Sequence, residues 1–211
     1  MNPIGILGGT FDPVHNGHLR LAIEMREALG LSSVKLIPAS VPPLRNAPDI
    51  DASKRLRMLE AAIEGEEGLE IDDCELHRKG TSYTVDTLRS IRKDVGDTPL
   101  CLIVGMDAFR RFDQWHQWEK LLDLAHIAVA HRPGSEAPES GAVAEFVKAR
   151  RVDDPERLRE RGAGYVIVRN IPALDISATR IRALLSTGQS IRYLVPDQVH
   201  DILIKGEQLH A

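Results

Sequence analysis

A stretch near the start of the chain, residues 4–19, constrains the fold more than any other. A short apolar run typical of a buried strand is followed by two glycines, a Thr-Phe-Asp-Pro turn and an amphipathic helix pattern that Gly30 is placed to end. A strand that passes through a glycine turn into a helix leaves unpaired N–H groups at the positive end of the helix dipole, which favours an anion. His15 and His18 stand three residues apart at this helix start, so both can donate hydrogen bonds to one phosphate group. The alternative is a tight turn with two surface histidines.

Strand and helix patterns alternate along the rest of the chain. Strands are predicted over residues 34–39, 69–76, 99–105, 126–132 and 165–169, and helices over 52–64, after 80–83, over 146–161, over 177–188 and from Pro196. Ser82 or Thr81 is expected to cap the helix that follows residue 83. A strand–helix–strand unit implies parallel strands. The predicted fold class is therefore α/β: a single Rossmann-like domain over residues 1–211, with an open, mainly parallel sheet and helices on both faces.

Charge and composition exclude several classes of function. The net charge of −4 gives no reason to expect nucleic acid or a membrane surface as a partner. No apolar run is long enough to span a membrane, and no charged-then-apolar leader precedes the first strand. Cys74 and Cys101, far apart in the sequence, are typical of buried thiols in a reducing compartment, so a cytoplasmic location is expected. The oligomeric state, including a homo-oligomer, is left open.

Two loops follow predicted strands at the edge where open α/β sheets bind ligands. The first is the proline-rich segment 40–51, whose only cation is Arg45, and its alternative is a plain surface connection. The second carries Asp107, which could meet a ribose hydroxyl or cap a helix. Trp115 follows a turn and could face a ligand, whereas Trp118 has the spacing of a core residue.

A second candidate anion site lies near the end of the chain. Ser177 and Thr179 stand at a predicted helix start, with Arg182 one turn inside. Taken alone, the segment could equally be a capped helix with an exposed arginine.

Both anion-binding segments resemble known motifs. Residues 8–18 resemble the Gly-x-Phe-x-Pro-x-His-x-Gly-His signature of the nucleotidyltransferase superfamily, and residues 176–182 resemble its Ile-Ser-Ser-Thr-x-x-Arg motif, with Ala178 in place of the second serine. Between them, Ser82-Tyr83-Thr84, Gly105-Met106-Asp107, Trp115 and His131-Arg132-Pro133 fall in the order seen in bacterial nicotinate mononucleotide adenylyltransferases. The resemblance covers nearly the whole chain.

The resemblance implies adenylyl transfer from ATP to nicotinate mononucleotide, giving deamido-NAD and pyrophosphate in NAD biosynthesis. His15, His18 and Arg182 are the implied catalytic residues. The implied ATP-binding set is Gly8, Gly9, Thr10, Phe11, His15, His18, Gly105, Asp107, Ile176, Ser177, Thr179 and Arg182. The implied acceptor-binding set is Ser40, Arg45, Tyr83, Thr84, Trp115 and Arg132.

The residue types suit this chemistry. A phosphate monoester is already a nucleophile at neutral pH, so direct in-line attack needs positioning and charge neutralisation rather than a strong base. No carboxylate cluster is dedicated to a metal, so no protein metal site is expected and Mg²⁺ would arrive with ATP.

One segment departs from the family pattern. Many relatives have Pro-Pro-His followed by a basic residue where this chain has Pro42-Pro43-Leu44-Arg45. Either Arg45 binds the acceptor alone, or Leu44 packs on the pyridine ring or covers the site.

Two other functions remain as alternatives. A sister adenylyl- or cytidylyltransferase would act on pantetheine phosphate or an alcohol phosphate, but Trp115 favours a flat pyridine ring. A non-catalytic nucleotide sensor on the same fold would not need both histidines and Arg182. The sequence does not decide between nicotinate and nicotinamide mononucleotide.

Overall fold

The computed structural model describes residues 1–43, 47–131, 140–172 and 174–205, and within these ranges seven strands form one sheet. The strands are β1 (Ile4–Gly9), β2 (Ser33–Pro38), β3 (Leu69–Ile71), β4 (Leu100–Gly105), β5 (His126–His131), β6 (Arg151–Val152) and β7 (Val166–Asn170). Their order is β3-β2-β1-β4-β5-β7-β6, and every neighbouring pair is parallel. The prediction of an open parallel α/β sheet is confirmed.

Helices cover both faces of this sheet. They are α1 (Asn16–Leu29), α2 (Ala52–Ile63), α3 (Thr84–Val95), α4 (Met106–Phe109), α5 (Leu121–Leu124), α6 (Ala142–Lys148), α7 (Ala178–Ser186) and α8 (Asp197–Lys205). Apolar side chains of α1, α2, α7 and α8 form one buried cluster, and those of α3 to α6 form a second cluster on the other face. Two layers of helices thus enclose strands that are buried on both sides, as their continuous apolar runs predict.

The strand order creates a crevice at the carboxyl ends of β1 and β4. From β1 the chain moves outward to β2 and β3, and from β4 it moves outward in the opposite direction to β5. Loops that follow two such neighbouring strands separate and leave room for a ligand. The turn after β1 and the residues after Gly105 directly follow these two carboxyl ends.

Two sequence predictions are wrong. The strand predicted over 69–76 ends at Ile71, because the Asp72 carboxylate accepts the Cys74 N–H at 3.2 Å and starts a turn. The helix predicted over 146–161 is instead α6, the edge strand β6 and a 3₁₀ helix at Pro155–Arg159. Asp154 caps that 3₁₀ helix, because its carboxylate accepts the Glu156 N–H. The charge pattern, which predicted one continuous helix, does not reveal this break.

The cysteines are free thiols, as the sequence predicts. Cys101 is fully buried in β4 and Cys74 is half-buried. Burial raises the pKa of each thiol to about 12. Within the described ranges, no helix has the length and apolar character needed to cross a membrane.

Candidate active site

The start of α1 brings the two motif histidines into contact. His15 is the N-cap residue of α1 and His18 lies in its first turn, and their rings stack with centroids 3.6 Å apart. His15 is only 4% exposed, whereas His18 is partly exposed. Phe11 meets the edge of the His18 ring at a centroid distance of 5.0 Å. The histidine pair is therefore packed into one orientation before any ligand arrives.

Small residues make this packing possible. Phe11 is buried with a φ of +48°, and its ring lies beneath Gly9, where an added Cβ would come within 3.0 Å. A Cβ on Gly17 would likewise come within 3.0 Å of the His15 ring and 3.5 Å of the Ile176 side chain. Around Gly8, by contrast, no atom lies within 4 Å of an added Cβ, so the space above the turn is open. Phe11 thus shapes the predicted ATP site by supporting it from below.

Asp12 joins this turn to the far end of the chain. Its carboxylate accepts the backbone N–H groups of Asp49 and Ile50, each at 3.0 Å. Arg182 donates from Nη1 to the Asp12 carbonyl oxygen at 2.7 Å, and the same nitrogen lies 3.5 Å from the Asp12 carboxylate. Arg182 Nε also pairs with the exposed carboxylate of Asp49 at 2.5 Å. The predicted phosphate ligand Arg182 is therefore held between two carboxylates at the mouth of the first motif.

The start of α7 has the features of a helix N-terminus open to an anion. Ser177 is the N-cap residue and accepts the Arg180 N–H at 3.3 Å, as the sequence predicts. Ser177 and Thr179 are exposed, and the first turn holds no acidic residue. Because Ile176 lies next to Gly17, the structure brings the starts of α1 and α7 together.

Arg55 is a site-adjacent residue that sequence reasoning missed. It is 1% exposed and donates to three backbone carbonyls: Thr10 at 2.7 Å, Ala39 at 2.8 Å and Ile50 at 3.1 Å. Burial lowers the pKa of its guanidinium, and the nearby carboxylates of Asp12 and Asp51 oppose that shift. A charged residue on the inward face of a helix pattern is the signal that could have revealed it.

Three of the predicted acceptor residues, Ser40, Tyr83 and Thr84, lie near the carboxyl end of β2. Ser40 follows β2, and its N–H donates to the buried Ser82 hydroxyl at 3.1 Å. The expectation that Ser82 or Thr81 caps α3 is wrong: the N-cap residue is Tyr83, and the Ser82 hydroxyl is engaged by Ser40 instead. Thr84 then begins α3. This hydrogen bond ties the start of α3 to the end of β2.

Trp115 lies at the far side of this cluster. The Tyr83 ring packs against His116 at a centroid distance of 4.3 Å, which places residue 115 next to the start of α3. Trp115 is half-buried, and its ring packs against Phe112 with the two ring centroids 5.2 Å apart. One part of the Trp115 ring therefore packs on the core and another part is accessible. Trp118 is also only partly buried, and its ring packs against the core residue Phe146 at a centroid distance of 4.7 Å.

The remaining predicted residues lie at the ends of β4 and β5 or outside the described ranges. Gly105 ends β4 and is the N-cap residue of α4, and Asp107 is exposed in the first turn of α4. Leu44, Arg45 and Arg132 lie outside the described residues.

The carboxylates at the site are engaged by arginines and amides. Across the parts of the chain that the structure describes, no three His, Cys, Asp or Glu side chains converge as a metal site would require.

Comparison with known proteins identifies the family. Residues 6–184 match the model of the cytidylyltransferase-like family. A protein of Marinobacter nauticus named "probable nicotinate-nucleotide adenylyltransferase" is 49% identical over 92% of this chain and 90% of its own length. A protein of the same name from Methylococcus capsulatus is 47% identical over 99% of both chains.

A solved structure shares the fold. The nicotinic acid mononucleotide adenylyltransferase of Plasmodium falciparum, in complex with NaAD, superimposes with a TM-score of 0.73 over 98% of this chain and 97% of that one, at 17% identity. The family model and the relatives that match over nearly the whole chain agree, and the chain belongs to the cytidylyltransferase-like family, among the nicotinate-nucleotide adenylyltransferases.

Proposed function

We propose that this protein transfers the adenylyl group of ATP to nicotinate mononucleotide. A phosphate oxygen of the acceptor attacks the α-phosphorus of ATP. The new P–O bond forms as the bond between the α-phosphorus and the bridging oxygen breaks, and pyrophosphate leaves with that oxygen. The products are deamido-NAD and pyrophosphate.

One observation carries this proposal: Arg182 Nη1 donates to the Asp12 carbonyl at 2.7 Å, across 170 residues of sequence. This bond joins the start of α7 to the turn that precedes α1. Two helix N-termini, two histidines and a guanidinium thus lie close together, and all of them favour phosphate oxygens. A triphosphate is the substrate group that such a concentration of donors fits.

Each motif residue has a role in this mechanism. His15 and His18 would donate to phosphate oxygens and stabilise the charge that develops on the leaving pyrophosphate. Arg182 and the start of α7, at Ser177 and Thr179, would bind the terminal phosphates. The remaining predicted ATP contacts are Gly8, Gly9, Thr10, Phe11, Gly105, Asp107 and Ile176. No covalent intermediate is needed, because a phosphate monoester attacks directly once it is positioned.

The acceptor would bind between the ends of β2 and α3 and the accessible part of Trp115. The half-buried ring of Trp115 supports stacking on a pyridine, since its inner part is fixed by Phe112. Ser40, Tyr83 and Thr84 would line the same pocket, and Arg45 and Arg132 are proposed as further acceptor ligands. ATP would enter as its Mg²⁺ complex, in which the metal is bound mainly by phosphate oxygens. The single domain over residues 1–211 and the cytoplasmic location stay predictions. The oligomeric state stays open.

Pyrophosphate release in the presence of ATP tests the proposal. The acceptors to compare are nicotinate mononucleotide, nicotinamide mononucleotide and pantetheine phosphate, with CTP replacing ATP in a parallel series. The highest kcat/KM is expected for ATP with nicotinate mononucleotide. A higher value for pantetheine phosphate or CTP would favour a sister transferase, and nucleotide binding without turnover would favour a sensor.

A further inference from the structure

A single buried nitrogen bridges the two halves of the candidate active site. Arg55 Nη1 donates to the carbonyl of Thr10, after β1, at 2.7 Å and to the carbonyl of Ala39, after β2, at 2.8 Å. Thr10 belongs to the turn proposed to bind ATP, and Ala39 precedes Ser40 on the acceptor side. A sheet hydrogen bond from the Ala39 N–H to the Gly9 carbonyl, at 2.9 Å, joins the ends of β1 and β2, and the NH₂ group of Arg55 adds a second connection at the carbonyls of Thr10 and Ala39.

The same guanidinium also binds the segment around Ile50, which contacts the first motif through Asp12. Arg55 Nε donates to the Ile50 carbonyl at 3.1 Å, and the Ile50 N–H donates to the Asp12 carboxylate at 3.0 Å. Three backbone segments that surround the crevice thus share one planar group. The side chain is 1% exposed, so water cannot take over any of these bonds.

We infer that Arg55 is a positioning residue that sets the distance between the α-phosphorus of ATP and the attacking phosphate of the acceptor. The inference rests on the proposed function. In-line transfer requires the reacting atoms to be held about 3–3.5 Å apart, and a misplacement of about 1 Å can cost a factor of 100 in rate. The turn after β1 would carry ATP and the segment after β2 would carry the acceptor, so a group that fixes the backbone carbonyls of both adjusts this distance without touching either substrate.

The planar fork is the property that matters. A guanidinium directs its N–H groups at fixed angles, and here three of its bonds go to three separate segments. A lysine side chain keeps the positive charge, but it is shorter overall than arginine and donates from a single nitrogen. Arg55→Lys therefore separates geometry from charge.

The chain offers a matched control at the other end of the sheet. Arg92 is also partly buried and donates to several backbone carbonyls, including Gly96 at 2.7 Å, Thr98 at 2.6 Å and Gly162 at 3.0 Å. Burial lowers the pKa of its guanidinium as it does for Arg55. Thr98 and Gly162 precede β4 and β7. Arg92 therefore binds at the amino-terminal ends of the strands, whereas the candidate site lies at their carboxyl ends.

The experiment compares wild type, Arg55→Lys and Arg92→Lys by steady-state kinetics, below the temperature at which circular dichroism detects unfolding. Both variants are expected to lower Tm. Only Arg55→Lys is expected to lower kcat, by roughly 10–100-fold, while the KM of ATP and of the acceptor each change by less than about threefold. If Arg55 had a purely structural role, Arg55→Lys would lower Tm but would not lower kcat selectively while leaving the KM values nearly unchanged.

Several results would overturn the inference. They are wild-type kcat in Arg55→Lys, an equal loss of kcat in Arg92→Lys, or a loss that matches the unfolded fraction. If Arg55→Lys does not fold, Arg55→Gln, which keeps an NH₂ group and removes the charge, is judged by the same kcat criterion. An inactive wild-type protein would contradict the proposed function itself, and active wild type with an unaffected Arg55→Lys would contradict only the role of Arg55.

Discussion

Replacing Asp49 with asparagine should strengthen ATP binding. Asp49 pairs with Arg182 Nε at 2.5 Å and so occupies one side of the guanidinium proposed to bind phosphate. ATP must displace this carboxylate before its own oxygens can use the full guanidinium. The Asp49→Asn substitution keeps the side-chain shape and the backbone N–H bond to Asp12, and it removes only the competing charge.

The size of the expected change in ATP KM follows from the solvent exposure of the Asp49 and Arg182 side chains. The Asp49 side chain is 67% exposed and that of Arg182 is 31% exposed, so solvent screens much of their attraction. Exposed ion pairs contribute about 0.2–1 kcal/mol, and the short contact favours the upper half of that range. Release of about 0.5–1 kcal/mol corresponds to an ATP KM lower by roughly two- to fivefold.

The assay is pyrophosphate release with ATP varied at saturating acceptor, at low and at high salt. The gain should shrink as salt rises, because salt screens the wild-type ion pair. Asp197→Asn is the control: Asp197 lies on α8 and pairs at 4.0 Å with Arg192, not with Arg182. An ATP KM that stays the same or rises in Asp49→Asn would refute the competition between Asp49 and phosphate.

Three further predictions test the site and the fold. His18→Ala should lower kcat by roughly 10²–10³, the scale for one preorganised donor, whereas His200→Ala on α8 should not; near-normal kcat in His18→Ala would exclude the catalytic role. Trp115→Ala should raise the acceptor KM about tenfold and leave the ATP KM nearly unchanged, and Trp118→Ala should lower only stability; the reverse pattern would make Trp115 a core residue. His126 is buried and accepts the Tyr165 N–H at Nδ1, and burial lowers its pKa below the usual 6.5. Its neutral form therefore stabilises the fold above about pH 6.5, and urea unfolding at pH 7.5 and 5.5 should show a loss of stability on acidification that is smaller in His126→Asn.

The sequence predicted most of the fold because the signals were local. Continuous apolar runs identified the central strands, and the glycine after α1, Gly30, has a φ of +60° as a helix stop requires. Where the prediction failed, the deciding signal was also local, but it was a single side chain rather than a run of residues. Asp72 and Asp154 start turns with their own carboxylates, and these turns override the strand and helix patterns around them.

The site was predictable as two motifs but not as one network. His15, His18, Ser177 and Arg182 stand out through residue type and spacing. Asp12 and Arg55 are harder to find, because their partners lie 37 to 170 residues away from Asp12 and 5 to 45 residues away from Arg55. The inward position of Arg55 on its helix is a local signal, but that position does not reveal which carbonyls the guanidinium contacts.

The charges around Asp12 explain why an acidic residue is tolerated beside the proposed phosphate site. Asp12 and Asp49 both lie against Arg182, and Asp12 and Asp51 lie near the buried Arg55. The two carboxylates differ in burial: Asp12 is 5% exposed and accepts two backbone N–H groups, whereas Asp49 lies at the surface. Phosphate would therefore displace Asp49 far more easily than Asp12, because removing Asp12 would leave two partly buried N–H donors without their acceptor. With Asp49 displaced, the Arg182 guanidinium would face the triphosphate while Asp12 continues to hold it in place. Asp12→Asn should accordingly weaken ATP binding, the opposite of Asp49→Asn, and the two variants measured side by side distinguish an anchoring carboxylate from a competing one.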